Sequence, residues 1–127
     1  MTALYNTPKL KPFVVSEASN QRSRDNVTVT VSGTDIESGT VMGKITASGK
    51  YVPYSNAASN GSEVAAGILY QHIESTTGDV KAVIFNADCE VNRKELTGLD
   101  TAGEADLRAL GIKVRGVTTL GIATPAL

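Results

Sequence analysis

The residues with the most chemical potential are few. His72 is the only histidine, so any imidazole base must be this one. It lies in Tyr70-Gln71-His72-Ile73 at the end of an apolar run, a setting that suits a hydrogen-bonded or solvated structural histidine. The single cysteine, Cys89, sits between Asp88 and Glu90, and neighbouring negative charge raises a thiol pKa rather than activating a nucleophile. One Cys and one His leave too few soft ligands for a structural zinc site. Asp88/Glu90 and Glu104/Asp106 are paired carboxylates, but neither pair has the apolar surround that raises one pKa for acid catalysis. No G-x-S-x-G elbow, G-x-x-x-x-G-K-[ST] phosphate loop, G-x-G-x-x-G or H-E-x-x-H occurs. These observations argue against an enzyme and against a bound cofactor or metal.

Bulk properties narrow the classes further. The 127 residues carry a net charge of −1, and the basic face of a nucleic-acid binder is absent. Arg22-Ser23-Arg24 could touch phosphate, but no aromatic residues interleave with it. No apolar run approaches the roughly 18 residues needed to span a bilayer, and the N-terminus lacks a secretory apolar core. A lone cysteine fits folding in a reducing cytoplasm. Ala, Gly, Ser and Thr fill 14, 12, 10 and 14 positions, while Trp is absent and Phe and Tyr number two and four. A core built from so few large side chains gains from self-association.

The elements that must position these residues read mainly as strands. Val27-Thr28-Val29-Thr30-Val31 alternates as a half-buried strand. Val41 to Thr46 reads as a second, Lys50 to Tyr54 as a third that Pro53 keeps short or at an edge, and Val64 to Ile73 as a strand kinked at Gly67. Val80 to Phe85, Asp88 to Asn92 and Ile112 to Arg115 follow, with Asn60-Gly61 as a turn signal. Thr101-Ala102-Gly103-Glu104 predicts a capping box opening one helix, and Gly111 its left-handed end. The fold class is therefore mainly β, a compact clip- or barrel-like single domain with one short helix near the C-terminus.

Ahead of it lies a basic leader, with Lys9, Lys11, Arg22 and Arg24 against Glu17 alone. Pro8 and Pro12 exclude a helix, while Leu4, Tyr5, Leu10 and Phe13-Val14-Val15 are apolar residues that call for a partner. Such a segment suits an arm that pairs its extended backbone with a strand edge.

Several stretches together resemble the tailed-phage head decoration proteins of the lambda protein D type. They are Phe13-Val14-Val15-Ser16-Glu17-Ala18 leading to Arg22-Ser23-Arg24-Asp25, then Gly39 to Thr46 and Gly49 to Tyr54. The likeness continues through Gly61 to Leu69, Asp79 to Ile84, Glu90-Val91-Asn92 and Glu95-Leu96, and closes on Leu107 to Arg115. The resemblance implies a non-enzymatic virion protein with a β-clip fold. It implies homotrimers on the outer surface of the expanded capsid, at three-fold and quasi-three-fold positions, bound to the major capsid protein and stabilising the head. Nucleic acid and membrane are not implied partners.

Carried onto this chain, the resemblance divides it into an extended capsid-binding arm (1–25), a β-rich decoration domain (26–115) and a C-terminal extension (116–127). The arm residues it singles out are Phe13, Val14, Val15, Ser16, Glu17, Arg22, Arg24 and Asp25. An extended arm would show Phe13 and Val15 on one side and Val14 on the other, with Arg22 and Arg24 suited to pairing with capsid acids. The alternatives are a virion-surface module presenting loops to a receptor or glycan, and a small hydrolase using His72.

Overall fold

The computed structural model describes residues 13–17 and 23–115. In chain order the strands are β1 (Val14–Glu17), β2 (Arg24–Ser32), β3 (Val41–Lys44), β4 (Tyr51–Pro53), β5 (Ala65–Leu69), β6 (Thr77–Phe85), β7 (Cys89–Asn92) and β8 (Ile112–Arg115). A 3-10 turn (Arg93–Glu95) and helix α1 (Thr101–Ala109) separate the last two strands. Strands β2-β4-β3-β5-β6 close a barrel, and β1-β7-β8 form a separate small sheet. The fold is thus mostly β, with one helix near the C-terminus, as the sequence leads one to expect.

The barrel's main seam is the antiparallel ladder of β2 on β6, in register from Arg24↔Phe85 to Ser32↔Thr77. Closure on the other side is slight: β4 meets β2 in parallel at Val29↔Tyr51 alone. Pro53 explains the brevity of β4, because proline has no N–H to continue a ladder; the strand is short but lies between β2 and β3.

Alternation on three strands divides the core in two. Met42, Leu69 and Ile84 point into the barrel with Val29, Val31, Tyr51 and Ala82. Their chain neighbours Val41, Ile68 and Phe85 point the other way, into a second cluster with Phe13, Val91, Leu107 and Ile112. Strands buried on both faces must be apolar at consecutive positions, which is why Val41-Met42, Ile68-Leu69 and Ile84-Phe85 occur as pairs. The second cluster joins the barrel to the small sheet and α1.

Helix α1 departs from the expected start by one residue. Asp100, not Thr101, is the N-cap, and its carboxylate accepts from the Gly103 amide at 2.6 Å and from the Tyr54 hydroxyl at 2.8 Å. A cap that also serves a buried tyrosine satisfies two donors at once, and Glu104 is drawn away to Arg93 and Arg108. Burial, with Asp100 beside it, pushes the Tyr54 phenol up to about 12. Gly111 ends the helix at φ +85°, as expected.

Candidate functional site

Val14 to Glu17 belong to the small sheet, whereas Arg24 and Asp25 open the barrel strand β2. Phe13 is fully buried, its ring edge-on to Phe85 at 5.6 Å between centroids. Its carbonyl accepts from the Asn92 amide, and β1 runs antiparallel to β7 from there. Val14 faces Val91 and Ser16 faces Glu90, so two β1 residues span one step of β7 and Val15 is the extra residue of a bulge. The bulge breaks the expected alternation: Phe13 is inside, Val14 packs at the edge of the same cluster, and Val15 is 56% exposed. Among the described residues only Val15 and Val64 are large hydrophobics left in solvent.

Glu17 and Arg24 lock the end of β1 to the start of β2. The Arg24 guanidinium donates to both Glu17 oxygens, Nε to Oε2 at 3.0 Å and Nη2 to Oε1 at 2.8 Å, and the Ser23 hydroxyl donates to Oε2 at 2.8 Å. Behind the pair, the guanidinium lies over Tyr70 at 4.8 Å and Phe85 at 5.1 Å from the ring centroids. A planar cation held by a bidentate carboxylate and two aromatic faces is a fixed structural element. Arg24 is therefore engaged within the subunit. Tyr70 and Phe85 carry no sequence signal for this role, being 46 and 61 residues away from Arg24.

The Arg24 hydrogen bonds hold the Glu17 carboxyl below its ordinary 4.5, with burial opposing them. A lowered folded-state value means the pair contributes stability above pH 4.5, which is lost as pH falls through the folded value. The stability gap between wild type and Glu17→Gln is thus expected to be clear at pH 7 and to shrink as the pH is taken below 4.5 through the lowered folded-state value, read from urea midpoints along the series.

Asp25 follows Arg24 in β2, is exposed, and accepts from Asn86 at 3.4 Å. Ser16 and Glu17 are exposed along β1, and Arg22 lies outside the described residues. Strand β1 is one edge of its sheet, and among the described residues no strand pairs with its outer side. Such an edge offers backbone N–H and C=O groups to another chain.

The candidates for catalysis are committed elsewhere. Burial, with Glu17 and Asp88 nearby, pushes the Cys89 thiol up to about 12, so it stays protonated at neutral pH. Arg115 binds Glu90 at 3.0 Å, and the Asp106 carboxylate accepts from the Ala65 amide at 2.9 Å. Glu104 is held by Arg93 and Arg108. His72 is 16% exposed, and its Nε2 is buried with no hydrogen-bond partner. A groove of about 400 Å³ follows the thin β2–β4 seam, lined by Asp25, Lys44, Lys50 and Lys81 among others; no imidazole or thiol reaches it.

The family model for the bacteriophage lambda head decoration protein D matches residues 3–112. The chain belongs to that family. As a head decoration protein it has a structural, capsid-binding role and a place on the phage capsid, and the family is not an enzyme class. Comparison with the curated proteins gives no match. Among the described residues no helix is long and apolar enough to cross a membrane.

Proposed function

We propose that this head decoration protein binds the outer surface of the expanded capsid as a homotrimer at three-fold and quasi-three-fold positions, and cements the head. The observation that carries the reading is the family match over residues 3–112. The exposed edge of β1, with Val15 and Ser16 outward, supports it as a place where capsid backbone adds a strand. Residues 1–12 run directly into Phe13, which anchors the arm to the body, and they carry Leu4, Tyr5 and Leu10 as apolar contacts for the shell. Arg22, Asp25 and the outer side of β1 complete the proposed arm. Three arms on one trimer multiply weak attachments through effective concentration, and a trimer buries surface that a core with six aromatic residues leaves thin.

The burial of Phe13 and the start of β2 at Arg24 dictate the test. Removing residues 1–25 would remove core, whereas removing 1–12 spares every described element. The 1–12 deletion is expected to keep its urea midpoint and lose co-sedimentation with expanded, undecorated heads by about tenfold or more, within the range avidity supplies. Undiminished attachment of this variant would exclude residues 1–12 as contacts and leave attachment to the β1 edge or to a loop-borne site. Light scattering of complexes released from heads, together with negative-stain protrusions at three-fold positions, tests the trimer.

A further inference from the structure

We propose that Asp35, His72 and Glu74 form a divalent-metal site, suited to Zn²⁺, that ties two loop segments together at the barrel. The three residues offer one ligand atom each, all lying within 4.8 Å of one another. His72 Nε2 is 3.4 Å from Asp35 Oδ2 and 3.7 Å from Glu74 Oε2. For zinc bonds of about 2.0–2.1 Å, ligand atoms at two corners of a tetrahedron stand about 3.3–3.4 Å apart. The first distance already matches that edge. The second closes with a shift of a few tenths of an ångström by Glu74, whose side chain is 70% exposed.

The state of His72 distinguishes this cluster from an ordinary imidazole–carboxylate pair. Its Nε2 is buried and lacks a hydrogen-bond partner although two carboxylates flank it. Buried polar atoms are normally satisfied, so an orphan aimed between two acids calls for an occupant. A cation meets that need with the neutral imidazole as ligand, and its two charges balance those of the carboxylates. One nitrogen and two oxygen donors suit zinc and the neighbouring late transition metals better than calcium or magnesium, which favour all-oxygen sets.

The scaffold is rigid where a metal site needs it to be. Ile36 and Ile73 exchange backbone hydrogen bonds of 3.0 and 2.8 Å, and both side chains are buried in the barrel. His72 and Glu74 flank Ile73, and Asp35 precedes Ile36 on the facing segment. The Ser75 amide donates to Asp35 Oδ1 at 2.7 Å, which orients the carboxylate and leaves Oδ2 toward His72. Two further bonds, Gly33 N to Thr76 O at 2.8 Å and Ser75 Oγ to Gly33 O at 2.9 Å, brace the ribbon. The ligands come from positions 35, 72 and 74, so counting soft ligands along the sequence misses them.

Tag-free protein stripped with EDTA and dialysed is to be titrated with ZnCl₂ by calorimetry, with thermal unfolding in parallel. The expected result is one zinc per chain, a saturable rise in Tm reversed by EDTA, and a visible Co²⁺ absorption of the tetrahedral type. His72→Ala is expected to abolish all three, and Asp35→Asn and Glu74→Gln each to weaken zinc by about tenfold or more, as loss of metal-site groups commonly does. Glu74→Gln changes an exposed side chain, so it reports even if His72→Ala fails to fold. Absence of saturable binding to wild type, or zinc affinity unchanged in Glu74→Gln and in folded His72→Ala, would overturn the proposal. Neither titration involves capsids, so the result is independent of the proposed attachment.

Discussion

Phe13→Ala is expected to destabilise the folded subunit by about 3–5 kcal/mol, the usual cost of deleting a buried aromatic ring. The side chain is 1% exposed and fills the space between Phe85, the small sheet and α1. It is also the residue from which β1 hangs: the Asn92 amide donates to its carbonyl, and β1 has no other described strand to hold it than β7. The loss should appear as a lower urea midpoint and as faster exchange of the Asn92 amide. Val15→Ala, two residues on and at an exposed bulge, should move the midpoint by less than about 0.5 kcal/mol. Under the proposed arm reading the pair separates two roles within one apolar triplet: Phe13 acts through the fold, Val15 through capsid attachment. A Phe13→Ala protein as stable as wild type would mean that residues 13–17 are not built into the body.

That division marks where sequence reasoning succeeds and where it stops. The alternation of Val27 to Val31, the Pro53 limit on β4 and the Gly111 helix end are local effects, and each is visible from neighbours along the chain. The double-sided burial of Val41-Met42, Ile68-Leu69 and Ile84-Phe85 also leaves a trace, as consecutive apolar residues. The placement of Phe13 leaves none, because a bulge shifts alternation by one residue without changing composition. The intrasubunit partners of Arg24 leave no trace either, since its carboxylate is seven residues back and its aromatic platform comes from β6 and the residue after β5. Thr101 and Asp100 are both good caps in isolation, and Tyr54, 46 residues before Asp100, decides between them. Tertiary partners of this kind are set by the closing of the barrel against the small sheet.

Gly61→Ala should rival Phe13→Ala in effect although it adds a single methyl group. Gly61 has φ +111°, where L residues are strained by about 1–3 kcal/mol. A Cβ there would stand 2.6 Å from the Lys44 carbonyl oxygen and 2.7 Å from the Thr46 amide nitrogen. Both are backbone atoms, one on the last residue of β3 and one two residues beyond it, so no rotamer change relieves them, and overpacking of this kind costs about 1–3 kcal/mol more. The neighbouring approach is equally close from the other side: a Cβ on Gly43 would meet the Ser62 carbonyl oxygen at 2.5 Å. Two glycines thus let the 60–62 turn lie flush on β3, where Thr46 donates its amide to Asn60 and Ser62 is buried. The expected sum for Gly61→Ala is about 2–6 kcal/mol, read from urea unfolding, with Gly33→Ala as the control. Gly33 also has a positive φ, of 96°, but open space where its Cβ would stand, so it reports the backbone strain alone. If the two variants lose the same stability, the close seat of the turn on β3 contributes nothing. If Gly61→Ala loses clearly more, the seat is a rigid part of the barrel, and glycine is required there by contact as well as by conformation.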